Sequence, residues 1–500
     1  MSVTRSTPAT RLRGAIAAAA RPAEDYRLIS GLFLCLLALV YLAAFASLAG
    51  QITGLAGSQG ILPFTDQLRA AEALHGAWCF LQLPTLFWID AGDGALRAAA
   101  VAGCGFSLLL LLNIFPRLAL AALFALYLSL FHAGQVFMNF QWDYLLLEAG
   151  FLGIFLPGGS RVVIWLYRWL LFRLRFLSGI SKLVSGDPSW AGLTALNHYF
   201  ETQPLPHVGS WYAHQLPEWL LRAGTGAALF TELVVPFMMF LPRPWRLFAA
   251  WATIAMQLLI ILTSNHNFFN LLTIVLCLFL FDDRALRRVV PVALARRLAL
   301  HPALPRGGIG SVLRAAGLGA MALLLVTVSA TLAGEMILQR PAPAPLAALA
   351  GWLQPWRIAN RYHVFPNMLT ERLEIRIEGS RDGRSWRPYV FRYKPGDPAR
   401  RPAVVIPRQP RLDWMIWFVP LGHPVNWNWY GRFLERLREN SPAVTGLLAE
   451  NPFPGAPPRF LRASLWRYRF TDARTRAETG DWWTREYLGP FPALPAPGGM

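Results

Sequence analysis

The sequence predicts a polytopic α-helical membrane bundle of about nine spans, followed by a C-terminal β-sandwich-like domain. The 500-residue chain is 55% hydrophobic and only 15% charged, whereas soluble domains carry about 25% charged residues. Apolar runs recur up to residue 332, several of them close to the roughly 20 residues that a spanning helix needs. Beyond that point, short segments alternate polar and apolar residues, which is the pattern of half-buried strands.

Nine apolar runs are candidates for membrane spans. The first is about twenty residues long and exceeds a signal-peptide core of roughly 7–15 residues, so we expect it to be retained. The fourth and eighth are shorter than the usual range of roughly 17–25 residues, so each is either re-entrant or extended by its polar flanks. The runs are Leu28–Leu48, Ala98–Phe115, Leu118–Phe137, Tyr144–Leu156, Val162–Ile180, Ala223–Leu241, Leu247–Thr263, Phe268–Phe281 and Ala315–Leu332.

The distribution of arginine predicts the orientation of the chain. The formal net charge of +19 comes mostly from arginines in loops between the apolar runs, which is typical of membrane topology and not of nucleic-acid binding. Nine spans place the arginine-rich N-terminus and the basic loop Arg284–Arg314 on the same, cytoplasmic side. The C-terminal domain is then expected outside the cytosol, and membrane lipids are predicted partners.

These observations divide the chain into segments. The predicted segments are a cytoplasmic tail (1–27), a helical domain (28–335) with external loops (49–97 and 182–222), a Pro/Ala linker (336–350), an extracytoplasmic β-rich domain (351–490) and a tail (491–500). Within the β-rich domain, turn residues between two alternating segments predict a hairpin. The predicted strands are Arg372–Glu378, Trp386–Tyr393, Ala403–Ile406, Trp414–Val419 and Phe460–Phe470, with a helical insertion at about Trp427–Leu448.

Polar and ionisable residues interrupt the fourth and fifth apolar runs. Ionisable groups at membrane depth cost roughly 2.5–3.5 kcal/mol each on insertion scales, so they need partners or a purpose. We name these residues the polar seam and expect them to be buried in the bundle. The polar seam comprises Asn139, Gln141, Asp143, Glu148, Arg168, Arg173, Arg175 and Lys182.

The positions within the polar seam suggest different roles. Glu148 lies one turn inside its run, which favours a buried acid paired with an arginine of the next span. Asp143 lies at the membrane edge and suits an acid near the N-terminal helix dipole. Arg168, Arg175 and Lys182 recur every seven residues and share one helix face. They either pair with Glu148, bind an anionic head group, or snorkel from an interfacial helix.

The second external loop combines prolines with polar and aromatic residues. Its histidines are spaced by nine and seven residues, which matches no metal-binding signature, so neither a metal nor a cofactor is predicted. A loop of this kind is suited to binding or to packing against the β-rich domain. Its candidate residues are His198, Glu201, Gln203, Trp211 and His214.

Aromatic side chains of the β-rich domain are candidates for holding an exported client protein, with ordinary core packing as the alternative for each. These candidates are Trp414, Trp417, Trp427 and Trp429. No G-x-S-x-G, Walker or H-E-x-x-H motif occurs at a plausible place. The sequence therefore predicts no catalytic triad, and a binding role is favoured over a hydrolase or kinase.

Several motifs resemble the lipase maturation factor family, collinearly over roughly Gly31–Gly489. These motifs are Asn139–Glu148, Tyr167–Arg173, Ser181–Leu183, His198–Pro206, Glu378–Gly383, Pro410–Trp414, Asn451–Phe453 and Trp482–Arg485. The resemblance implies a membrane protein, resident in the endoplasmic reticulum of animals, that assists folding and assembly of secreted lipases without a known catalytic step. The Arg/Ala-rich composition and the cysteine-free C-terminal third favour a bacterial member in the inner membrane.

A more distant similarity, at the level of architecture, is to the membrane part of vitamin K-dependent γ-carboxylases. It implies an alternative function, an intramembrane enzyme that acts on a lipid or quinone with Lys182 as the base. Likeness of fold alone does not establish activity. A maturation factor for exported proteins is therefore the preferred hypothesis.

Overall fold

The computed structural model describes residues 23–300 and 309–493. Most of the predicted N-terminal tail, part of the basic loop and most of the C-terminal tail lie outside the described residues. Each predicted apolar run contains a helix in the structure. The nine helices are α1 (Arg27–Ala49), α2 (Asp93–Leu111), α3 (Pro116–Ala133), α4 (Gln141–Phe155), α5 (Arg161–Val184), α6 (Glu218–Leu233), α7 (Arg243–Thr263), α8 (Phe269–Leu276) and α9 (Ile309–Leu338).

Five of these helices are long and apolar enough to cross a bilayer, namely α1, α2, α3, α7 and α9. The other four differ for local reasons. Helices α4 and α8 contain only 15 and 8 residues, and α5 carries several cations. Helix α6 ends at Leu233, and Pro236 lies in the short helix that follows. The protein is therefore a predominantly helical membrane protein.

The described part of the helical domain, residues 23–300 and 309–338, packs around α1 and α5. Helix α1 packs against α2. Their packing requires glycine at position 103 of α2, because a Cβ atom there would lie 2.2 Å from the ring of Phe45 on α1. Helix α5 contacts α4, α6 and α9. Tyr167 of α5 stacks on Phe279 with ring centroids 4.4 Å apart, and Phe33 of α1 completes this aromatic cluster.

Short helices fill the connections of the helical domain. They are Ile52–Ala56, Phe64–His75, Cys79–Gln82, Pro188–Ala191, Ala195–Thr202, Val208–His214, Val235–Met238, Asp283–Leu286 and Val292–Leu298. Both predicted external loops are therefore folded.

The C-terminal domain, residues 344–493, contains one antiparallel four-stranded sheet in the order β2-β1-β3-β4. Its strands are β1 (Arg372–Ser380), β2 (Arg387–Pro388), β3 (Phe460–Phe470) and β4 (Trp483–Phe491). Its helices are α10 (Ala344–Leu353), α11 (Arg411–Ile416) and α12 (Val425–Arg438), with shorter ones at Pro442–Thr445 and Ala473–Thr479. Ile375 and Ile377 of β1 share a hydrophobic core with Trp429 and Phe433 of α12.

This domain differs from the predicted β-sandwich because helices cover one face of a single sheet in the described residues. The predicted strand Trp414–Val419 overlaps helix α11, whose six residues are all buried; periodicity cannot distinguish a short buried helix from a strand. The segment Ala403–Ile406, predicted as a strand, forms no strand. Its backbone is hydrogen-bonded to the side chain of Asn265. Asn265 accepts a hydrogen bond from Val405 N at 2.9 Å and donates one to Ala403 O at 2.8 Å.

The remaining elements agree more closely with the sequence patterns. Strand β3 has the predicted limits, and the predicted hairpin is present as β1 and a two-residue β2, in which Glu378 pairs with Pro388. The predicted Pro/Ala linker is mostly helical, because α9 extends to Leu338 and α10 begins at Ala344. Only a few residues therefore connect the helical domain to the C-terminal domain.

Candidate functional site

Asp143 in the first turn of α4 joins the helical domain to the C-terminal domain. Its carboxylate accepts hydrogen bonds from Arg411 Nη1 at 2.6 Å, from Arg411 Nη2 at 2.7 Å and from the Tyr127 hydroxyl at 2.7 Å. Asp143 and Arg411 are fully buried. A bidentate guanidinium–carboxylate pair is among the stronger side-chain interactions. Asp143 thus stands near a helix N-terminus, as expected, but a cation of the other domain is its partner.

Glu148, one to two turns further along α4, is buried against Arg173 of α5. The Tyr362 hydroxyl donates to Glu148 Oε2 at 2.9 Å, and Asn360 Nδ2 donates to the same oxygen at 3.2 Å. Arg173 also donates to the Asn360 carbonyl at 3.1 Å. Asn360 and Tyr362 belong to the segment between α10 and β1, so this second ion pair also reaches the C-terminal domain.

Glu232 of α6 is a further buried acid of the helical domain, and the predicted polar seam does not include it. Its carboxylate lies 2.8 Å from Lys182 Nζ and 3.5 Å from Arg175 Nη2, both on α5. Lys182 Nζ also donates to the carbonyl oxygens of Val364 at 2.8 Å and Ser178 at 3.2 Å. The N–H groups of Lys182 are therefore engaged, and this geometry offers no support for Lys182 as a base.

The other polar seam residues lie apart from these three ion pairs. Arg168 donates to the Phe279 carbonyl at 2.9 Å and contacts the Tyr26 hydroxyl, at the opposite end of α5 from Lys182. Asn139 is exposed, and Gln141 is half-buried beside His363. Asn139 lies before helix α4 and Gln141 is its first residue. In the described part of the chain, neither side chain is hydrogen-bonded to the buried ion pairs.

The second external loop packs against the sheet of the C-terminal domain. The Trp211 indole contacts Trp482 with ring centroids 5.6 Å apart and donates to Thr471 Oγ1 at 3.3 Å. Arg372 of β1 donates to the carbonyl oxygens of Gln203 and Pro204. Of the two predicted alternatives for this loop, binding or packing against the C-terminal domain, the contacts show packing.

Two titratable residues of this loop face the end of β3. Glu201 Oε2 accepts a hydrogen bond from Phe470 N at 2.6 Å, and burial raises the pKa of the Glu201 carboxyl above its usual value. His214 Nε2 lies 3.9 Å from the same carboxylate. Burial, assisted by nearby His198, lowers the pKa of His214, so the imidazole is neutral at pH 7 and the contact with Glu201 is not an ion pair.

The four tryptophans proposed for client binding lie in different environments. Trp414 and Trp429 are buried in hydrophobic cores, so neither forms an exposed surface. The Trp417 indole donates to the Thr202 carbonyl at 2.8 Å and fastens the second external loop. Trp427 alone of the four is classed as exposed, at 37%, and stacks on Phe491.

Several residues of these contacts were missed in the sequence analysis. Glu232 is a single acid inside an apolar run, and that isolation is a signal by itself. Arg411 has no such signal, because arginines are common in the C-terminal domain and its partner is 268 residues away. Within the described residues, no group of three or more His, Cys, Asp or Glu side chains could hold a metal ion.

The fold and these contacts define a helical membrane protein that is joined by a buried ion pair and by buried hydrogen bonds to a folded C-terminal domain. Residues 28–288 match the family model described as Lipase maturation factor transmembrane domain. Residues 358–493 match the model described as Lipase maturation factor C-terminal domain. The chain belongs to the lipase maturation factor family.

Individual relatives match nearly the whole chain. Lipase maturation factor 2 of Gallus gallus is 35% identical over 92% of this chain and 80% of the relative. Lipase maturation factor 1 of Bos taurus is 34% identical over 92% of this chain and 87% of the relative. The Homo sapiens lipase maturation factor 1 is 33% identical over 92% and 86%, respectively. No solved structure matches this chain.

The Asp143–Arg411 pair generates a stability prediction. Arg411→Met leaves a buried carboxylate without a cation and is expected to destabilise the protein by about 3–5 kcal/mol. Thermal unfolding of the purified protein in detergent measures the loss. The double variant D143N/R411M is expected to lose less than the sum of the two single variants, because it removes both charges.

Arg467→Gln is the matched control for Arg411→Met. Arg467 pairs with Glu486 at 2.8 Å, but both side chains are partly exposed, at 26% and 63%, and surface pairs contribute about 0–1 kcal/mol. An R411M protein that unfolds at the wild-type temperature would contradict the importance assigned to the buried pair.

The raised pKa of Glu201 predicts a pH-dependent effect of Glu201→Gln. A carboxyl with a raised folded-state pKa contributes stability below its unfolded pKa of about 4.3, and this contribution is lost as the pH rises through the folded pKa. The amide keeps an acceptor for Phe470 N and does not ionise. We expect E201Q and wild type to melt alike near pH 4 and E201Q to melt higher at pH 7. Glu478→Gln, at an exposed carboxylate, is the control; an E201Q protein less stable than wild type at pH 7 would refute the prediction.

Proposed function

We propose that this chain is a membrane-embedded maturation factor that assists the folding of an exported lipase without a catalytic step of its own. The observation that carries the proposal is the match to proteins named lipase maturation factor over 92% of the chain, across both domains. The geometry is compatible with this role, because the buried Asp143–Arg411 pair and the hydrogen bonds from Asn360 and Tyr362 to Glu148 hold the C-terminal domain against the helical domain. Binding of partly folded clients favours folding by mass action and limits aggregation.

The proposed client surface lies at the N-terminal end of α12. Leu421, Val425 and Trp427 are exposed hydrophobic residues within seven positions of one another, with exposed fractions of 41%, 56% and 37%. Trp427 is the one residue that this surface shares with the predicted client-binding set. Exposed apolar side chains that are close together mark interaction sites more often than isolated ones do.

The proposed topology has nine membrane helices, a cytoplasmic N-terminus and an extracytoplasmic C-terminal domain (351–490). The contacts support a common side for both external loops and this domain. Gln51 of loop 49–97 donates to the Gln409 carbonyl at 2.9 Å, and loop 182–222 packs on the sheet. The arginine-rich connections at the other ends of the helices favour the cytoplasmic side. The proposed location is the inner membrane of a bacterium.

Loss of the gene is expected to lower the specific activity of the exported lipase. Lipase activity per amount of secreted lipase protein, measured in a deletion strain of the native host, tests this expectation. The wild-type gene is expected to restore the activity, and a V425A/W427A variant of equal abundance to restore it only partly. Trp245→Ala is the matched control, since Trp245 is 53% exposed at the proposed cytoplasmic end of α7. Unchanged specific activity of every exported lipase in the deletion strain would disprove the function.

Cysteine labelling tests the topology. In a variant that lacks the four native cysteines, a membrane-impermeant maleimide is expected to label Arg384→Cys in intact spheroplasts. Arg288→Cys is expected to react only after the membrane is permeabilised. Both positions are exposed, so the membrane decides the difference in reactivity. Labelling of R288C in intact spheroplasts would reverse the orientation.

A further inference from the structure

A small cavity lies where α5, α6, α7 and α8 meet a segment of the C-terminal domain, residues 364–368, and the proposed function does not use it. Its volume is about 90 Å³, which is room for a group of a few heavy atoms. Most of its wall is apolar or aromatic. The polar residues of the wall that matter here are Arg175, Lys182, Trp190, Glu232, Gln257 and Asn270.

The three uncharged residues of this set each carry a buried polar atom that has no hydrogen-bond partner among the described residues. The atoms are Gln257 Nε2, Asn270 Oδ1 and Trp190 Nε1, and the residues are 1%, 2% and 4% exposed. Asn270 Nδ2 donates to Gln257 Oε1 at 2.6 Å. Whichever way the two amides are turned, one amide NH₂ and one amide carbonyl therefore remain free. Buried polar groups oppose folding when they are unpaired, so this wall points to a ligand.

The same wall carries more positive than negative charge. Arg175 and Lys182 share the one carboxylate of Glu232, and in the described part of the chain no second carboxylate lies within 4 Å of either cation. Lys182 has three oxygen partners, whereas Arg175 Nε is buried without a partner. Uncompensated charge within a bilayer is costly, and Arg175 is the group positioned to receive an anion.

We propose that this cavity binds the carboxylate of a long-chain fatty acid. The free donors Arg175 Nε, Gln257 Nε2 and Trp190 Nε1 outnumber the free amide acceptor Asn270 Oδ1. Glu232 Oε2 lies 2.8 Å from Lys182 Nζ, and the excess positive charge favours an anion. A carboxylate fits a cavity of this volume, whereas a phosphate with its glycerol does not. Ala228 of α6 and Ile260 of α7 line the cavity and are half-exposed. The acyl chain leaves between these two helices into the bilayer.

Binding of radiolabelled palmitate to the full-length protein in phosphatidylcholine nanodiscs tests this site independently of any lipase client. Saturable binding is expected, with displacement by unlabelled palmitate and not by methyl palmitate. Arg175→Gln is expected to weaken binding at least tenfold, because it removes the excess charge and leaves the Lys182–Glu232 pair balanced. Arg168→Gln is the matched control on the same helix, outside the cavity, and is expected to keep the wild-type affinity.

Gln257→Leu removes a free donor at constant charge and is expected to weaken binding severalfold. Thermal unfolding of each variant separates lost binding from lost folding. A photoactivatable diazirine palmitate bound to the wild-type protein gives a readout without substitution, and the expected adducts lie in residues 174–182, 228–232 and 256–273. Equal affinity of R175Q and wild type, displacement by phosphatidylglycerol as effective as by palmitate, adducts confined to other helices, or no saturable binding would each overturn the assignment.

Discussion

Asp143, Glu148 and Glu232 are buried carboxylates in helices that are otherwise apolar. Each carboxylate has a cationic nitrogen no more than 3.5 Å from one of its oxygens. A buried pair roughly balances the cost of desolvation, whereas a single buried charge does not. At two of the three sites the C-terminal domain supplies part of the compensation, through Arg411 or through Asn360 and Tyr362. At the third site its Val364 carbonyl accepts a hydrogen bond from Lys182, the cation that pairs with Glu232. The helical domain and the C-terminal domain therefore depend on one another for a stable structure.

The external loops reinforce this dependence with further hydrogen bonds. Arg372 binds carbonyl oxygens of the second loop, and Gln51 of the first loop bonds to the backbone on both sides of Pro410. Because the second loop is folded against the sheet, its Trp211 is not free to hold a client. The exposed apolar residues at the start of α12 belong to the folded C-terminal domain.

The hydrophobic pattern of the sequence predicted most of the local secondary structure. Nine apolar runs became nine helices, and alternation located β1 and β3. The sequence predicted that Glu148 pairs with an arginine of the next helix, and Arg173 is that arginine. The alternative pairing of Glu148 with Arg168, Arg175 and Lys182 was wrong, because Arg175 and Lys182 pair with Glu232 and Arg168 donates to the Phe279 carbonyl. Patterning failed for Trp414–Val419, since a buried run of six residues has no periodicity that separates a helix from a strand. The two-residue β2 shows how short the predicted hairpin is in the structure.

The sequence by itself determined that this is a helical membrane protein of the lipase maturation factor family, because hydrophobicity and motif order are properties of the chain. It also determined which charges need compensation, since their cost arises from the surrounding apolar residues. Only the tertiary structure decided the partners Arg411 and Glu232, the helical cover of the sheet, and the cavity beside Arg175. These features depend on contacts between segments far apart in the chain, and such contacts are set by the packing of the whole molecule.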